Sequence, residues 1–241
     1  MIGRLFKFEF KNLIRDRMTL LIIVYPLIVA GVGKWLLTNE TLDAMGIEIM
    51  VIILAIISGF LFGASAGFSI LDDRDDHVFI SIQISPLNVR TYVLFKVIFV
   101  YLMSIVSAMF ILIFVNASDM SLTTMFTISA LSAFQAPIHA FMINAFASNK
   151  VEGFVTMKAS GFLLIFTIAS YFFLDWKEWL FAIAPASWAA KAVQSTLLAP
   201  MIDAGMITMN LPYWGYIGIG FAYNMVLAVL MYRFFRNKAM R

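Results

Sequence analysis

The chain has 241 residues, of which 62% are hydrophobic and only 13% charged, with a net charge of +3 and no cysteine. Soluble domains carry about 45–50% apolar and about 25% charged residues, so a water-soluble fold is excluded. Without cysteine there is no disulfide, thiol nucleophile or cysteine–metal site.

Residues 1–17 place Ile2, Leu5, Phe6, Phe10, Leu13 and Ile14 at helical spacing, with Arg4, Lys7, Lys11 and Arg15 largely on other faces. That pattern predicts an amphipathic helix lying in the headgroup region of the inner leaflet. Beyond it, the chain reads as one transmembrane domain, residues 18–241.

A hydrocarbon core about 30 Å thick needs roughly 20 apolar residues in helix. Six such runs occur, approximately Met18–Leu37, Gly46–Leu71, Thr91–Val115, Leu122–Ala147, Phe154–Leu174 and Pro212–Phe234. None alternates polar and apolar residues as barrel strands do, so the fold class is an all-α bundle of six transmembrane helices. Lysines and arginines collect in the N-terminal segment, the connections around Arg74–Lys96 and Lys150–Lys158, and the C-terminal tail; Lys34, Lys177 and Lys191 fall on the other side. The positive-inside rule then puts both termini in the cytoplasm, most simply at the plasma membrane. The positive charge is an orientation signal and not a nucleic-acid footprint.

In the second run, Gly59, Gly63 and Gly67 recur every four residues and define a face that another helix can approach closely. The connection over residues 71–90 is densely charged at Asp72, Asp73, Arg74, Asp75, Asp76 and His77. It continues through Val78, Phe79, Ile82, Gln83 and Ser85 to Pro86. A short apolar segment closed by proline predicts a docking element. The adjacent carboxylates with Arg74 among them argue against a metal site.

In the fourth run Gln135 and His139 share a face, and Pro137 is expected to kink the helix between them. The pair either lines a route through the bundle or ties helices together. Residues 175–211 are too long for a turn and are interrupted by Pro185, Lys191 and Pro200. They predict short, non-spanning, re-entrant-like helices in the outer leaflet, with Trp176, Trp179 and Trp188 at the interface.

Two motifs fail on context. Gly63-Ala64-Ser65-Ala66-Gly67 matches the nucleophile elbow but lies inside a membrane helix; an intramembrane serine protease pairing Ser65 with His139 is the alternative it leaves open. Gly33-Lys34 lacks the earlier glycine of a phosphate loop, where Ile28 stands, and has Trp35 in place of Ser or Thr. No ATPase motif is found.

Asp16-Arg17 before the first run, Tyr25-Pro26 within it, the cluster Asp72–Asp76 before Val78–Ile82, Ser85-Pro86-Leu87 leading to Tyr92 and Lys96, and the re-entrant stretch together resemble the permease subunits of type-2 ABC exporters. The family pattern has a glycine-containing turn where this chain has His77-Val78. The resemblance implies two permease subunits, alike or not, each resting on a separate cytoplasmic ATPase that binds ATP and Mg. The coupling helix around Arg74–Ser85 would sit in a groove of that ATPase. The chain itself would then be no enzyme and would bind no cofactor. Its 24 phenylalanines and 16 methionines suit a hydrophobic or amphipathic cargo such as a drug, lipid or peptide. A non-transporting scaffold or sensor remains a further alternative.

Overall fold

The computed structural model describes residues 17–84, 88–116 and 120–239, with side chains from residue 24 on, except 83 and 239. The expected interfacial helix, and the docking positions Ser85 and Pro86, lie outside the described residues. Within them every regular element is helical: α1 (Arg17–Thr38), α2 (Ala44–Asp75), α3 (Val78–Gln83), α4 (Val89–Val115), α5 (Leu122–Ser132), α6 (Gln135–Phe146), α7 (Lys150–Ser170), a 3-10 turn (Trp176–Leu180), α8 (Ser187–Leu197), α9 (Ala199–Asp203) and α10 (Tyr213–Ala239).

Five segments are long and apolar enough to cross a membrane: α2, α4, α5 with α6, α7 and α10. The apolar stretch of α1 with described side chains, Val24–Thr38, is shorter. The chain is thus a multi-pass, all-helical membrane protein, with five spans of sufficient length among the described residues, where the sequence predicts six.

Polar side chains set the helix starts, because the first turn leaves backbone N–H groups unpaired. Asp43 accepts from Gly46 N at 2.8 Å, Asn88 from Arg90 N at 2.8 Å, and Ser121 from Thr124 N at 3.1 Å. Asn149 accepts from Glu152 N while Glu152 reaches back to Ser148 N at 2.7 Å, one residue before the cap, a variant of the capping box.

Helix α2 has 32 residues, about 48 Å, which exceeds the hydrocarbon thickness. Its excess carries Asp72, Asp73, Arg74 and Asp75 in the last turn. The acidic cluster is therefore helical, where the sequence places it in a loop.

The fourth run is two helices that meet at Ala133–Phe134. The expected bend between Gln135 and His139 is displaced upstream. Pro137 has no N–H, and its ring crowds the carbonyl four residues earlier, which is Ala133. The break thus falls on that carbonyl, and Pro137 occupies the first turn of α6, where no donor is needed.

Segment α5–α6 is the most covered of the spans, and α7 and α10 are the least. One apolar cluster joins α2, α5, α8 and α10 through Ile52, Ile128, Leu131, Val193 and Tyr216. A second joins α2, α4, α6 and α10 through Ile70, Val93, Phe141 and Phe235, and Phe79 of α3 belongs to it.

Candidate functional site: the α2–α3 end and the buried polar ties

The glycine face of α2 packs on α5–α6. A Cβ at Gly63 would stand 2.8 Å from both the Cα and the carbonyl oxygen of Ala136. At Gly59 it would meet Ser132 O, and at Gly67 Ile143 Cδ1 at 2.7 Å. At Gly59 and Gly63 the neighbour is backbone and leaves no room for a larger residue, whereas at Gly67 it is the end of the Ile143 side chain.

Polar ties cross the same contact. Gln135 Nε2 donates to Ile56 O at 2.9 Å, and Asn144 Nδ2 donates to Gly67 O at 2.8 Å. His139 Nδ1 lies 2.7 Å from Gln135 O, and its ring meets Phe60 edge-on at 4.8 Å. Gln135 and His139 are 1% and 2% exposed; Gln135 ties α6 to α2, whereas His139 bonds its own helix and only packs on Phe60 of α2. Ser65 is no hydrogen-bond partner of His139, whose Nε2 is unbonded. The base-activated serine of the protease alternative is not assembled, because Ser65 is two residues, about 200° of helix, from Gly63 on the packed face.

At the end of α2, three residues fasten three other elements. Asp73 accepts from Tyr92 Oη at 3.0 Å and from Lys96 Nζ at 2.6 Å, both on α4. Arg74 Nη2 donates to Ala147 O at 3.0 Å, closing the C-terminus of α6, where a cation also offsets the helix dipole. Asp72 pairs with Lys150 of α7 at 3.0 Å in an exposed contact, of the kind that contributes little.

Asp75, Asp76 and His77 are exposed. His77 has φ 57° and ψ 22°, a left-handed conformation that glycine enters without strain. This turn redirects the chain into α3.

In α3, Phe79 is 8% exposed and belongs to the cluster with Tyr92, Val93 and Phe235. Ile82 and Val78 are half-buried, and Ile82 packs against the same cluster. The outward side carries Ile80 and Ile84, 59% and 89% exposed. Arg74 and Phe79 are both engaged within the chain, which leaves Ile80 and Ile84 as the outward apolar side chains of this segment. The sequence contained the signal, since 79 and 82 share a helical face while 80 and 84 share another.

At the opposite end, the 3-10 turn and α8 hold a buried ion pair that sequence reasoning missed. Lys191 Nζ lies 3.2 Å from Glu178 Oε2, with side chains 5% and 3% exposed. Lys191 also donates to Phe173 O at 2.5 Å and Gln194 Oε1 at 2.9 Å, and Tyr216 Oη donates to Glu178 Oε1 at 2.8 Å. Burial pulls the Lys191 ammonium below the usual lysine range, and the Glu178 carboxylate opposes that shift. A small cavity beside the pair is lined by Ser170, Trp179, Trp188 and Tyr216. Trp188 is buried, with Nε1 donating to Ala182 O at 3.1 Å, so only Trp176 and Trp179 face outward as the sequence suggests. Lys34, at the same end, donates to Val115 O at 3.3 Å.

Comparison with known proteins gives a consistent result. Residues 9–232 match a family model described as "Rv2686c-like: Fluoroquinolones export permease protein Rv2686c-like". Two curated relatives, the fluoroquinolones export permease proteins MT2760 and Rv2686c from two strains of Mycobacterium tuberculosis, are each 22% identical over 246 residues, covering 95% of this chain and 92% of theirs. No solved structure matches.

Proposed function

We propose that this chain, which belongs to the Rv2686c-like fluoroquinolones export permease family, is the membrane subunit of an exporter driven by a separate cytoplasmic ABC-type ATPase. Membership makes it an export permease; the ATPase, the stoichiometry and the cargo belong to the proposal. Helix α1 supplies the sixth span, both termini lie in the cytoplasm, and a second permease subunit completes the route. ATP and Mg are held by the partner.

The observation that carries this role is α3. A six-residue helix follows the charged end of α2, is seated through Phe79 on the bundle, and turns Ile80 and Ile84 outward. Two exposed isoleucines beside Asp75 and Asp76 suit an apolar groove with a basic rim. Because α3 is seated on α2 and α4, and α2 on α6, a push on α3 is delivered to the helices that pack around the glycine face. Such a contact lets nucleotide bias a two-state membrane domain.

The family's named cargo and this chain's phenylalanine-rich exposed helices together favour an amphipathic aromatic compound. Recovery of a cytoplasmic ABC-type ATPase with the tagged permease tests the docking. Wild type should retain it, Ile80→Asp with Ile84→Asp should lose it, and retention by the double variant would remove α3 as the docking element.

A further inference from the structure

Lys158 lies eight residues beyond Lys150 in α7, about 12 Å along the axis. Its depth is fixed independently by the packing of α7 on α2. Gly153 is backed by Phe68 and Leu71, and Gly161 by Phe60. Lys158 therefore stands between those levels, abreast of the Gly63–Ala136 contact and well above the Asp72–Lys150 pair. Its side chain is exposed, and it has no hydrogen-bond or ion-pair partner among the described residues.

An ammonium at that depth is costly against lipid and marks a polar or water-filled boundary. An extended lysine stem reaches about 6 Å, which carries its ammonium only about half the way back to the charged collar. One turn before it on the same face is Phe154 and one turn after it Phe162, 43% and 58% exposed. The face thus offers a single cation framed by two aromatic rings, on one of the least covered helices.

We propose that Lys158, with Phe154 and Phe162, binds the anionic group of an aromatic cargo on the wall of the export route, an inference that rests on the export function proposed above. The rings supply flat apolar area, and a charge-assisted bond to a carboxylate gains strength where the local dielectric is low. An aromatic carboxylic acid meets both requirements, and its neutral ester meets only one.

The test uses the complete permease–ATPase complex in membrane vesicles, with a quinolone carboxylic acid and its methyl ester as probes. Lys158→Met should lower transport of the acid relative to the ester by about tenfold, the worth of one charge-assisted hydrogen bond. Lys158→Arg should restore most of the acid transport, at matched protein levels. An unchanged acid-to-ester ratio overturns the inference. So does an equal loss for both probes, which would assign Lys158 to lipid headgroups or a subunit contact. If wild type transports neither probe, the proposed export function fails together with it.

Discussion

Asp73, in the last turn of α2, accepts a 2.6 Å bond from the Lys96 ammonium of α4, and Lys96 is 5% exposed. This pair, with Tyr92 on the same carboxylate oxygen, locks the end of α2 to α4 immediately beneath α3. Breaking one side of a buried pair leaves an uncompensated charge, at a cost of about 3 kcal/mol. Asp73→Asn should therefore lower thermal stability and uncouple ATP hydrolysis from transport. Exchanging both residues, as Asp73→Leu with Lys96→Met, should recover stability while coupling stays impaired. Normal coupling in the stable double variant would show that the pair only supports the fold.

Gly63 sets the distance between α2 and α6. Gly63→Leu places its first side-chain carbon 2.8 Å from the backbone of Ala136, so the helices must separate. Overpacking of this kind costs about 1–3 kcal/mol, and Gly63→Ala should already register. Melting of the detergent-solubilised protein checks this, and a stable Gly63→Leu protein would contradict the packing.

The Glu178–Lys191 pair predicts asymmetric behaviour. Lys191→Met leaves a buried carboxylate with Tyr216 as its remaining partner and should cost about 3–5 kcal/mol. Adding Glu178→Gln should return most of that loss, since neither group is then charged. Similar melting temperatures for the single and double variants would indicate that the two charges are not coupled.

Single cysteines should report the orientation, as the chain has none of its own. Met206→Cys, at an exposed outer position, should react with an impermeant maleimide in intact cells. Ser148→Cys and Asn237→Cys should react only after permeabilisation. Labelling of Ser148→Cys from outside would invert the arrangement.

The membrane class, the boundaries of α2, α4 and α10 within a few residues, and the close approach at the glycines were legible because hydrophobic length and four-residue spacing are local properties. What sequence concealed was long-range. That α2 continues through four charged residues follows from partners on α4, α6 and α7, supplied by Lys96, Ala147 and Lys150. That Phe79 faces inward and Ile80 outward depends on how α3 is laid against Tyr92 and Val93. Lys191 looked like an interruption of an apolar run, because its partner Glu178 precedes it in a different element. The sequence pattern puts the effect of Pro137 at its own position, although its steric effect falls four residues upstream.

In the proposed function, ATP hydrolysis by a separate subunit moves cargo through this chain by way of α3. The most direct test is transport in inside-out vesicles containing the permease and the proposed ATPase subunit, with an aromatic amphiphile as probe. ATP should drive accumulation, a non-hydrolysable analogue should not, and Ile84→Asp should abolish the ATP-driven component with the permease still inserted. Accumulation that proceeds equally without ATP, or survives removal of the ATPase subunit, would contradict it.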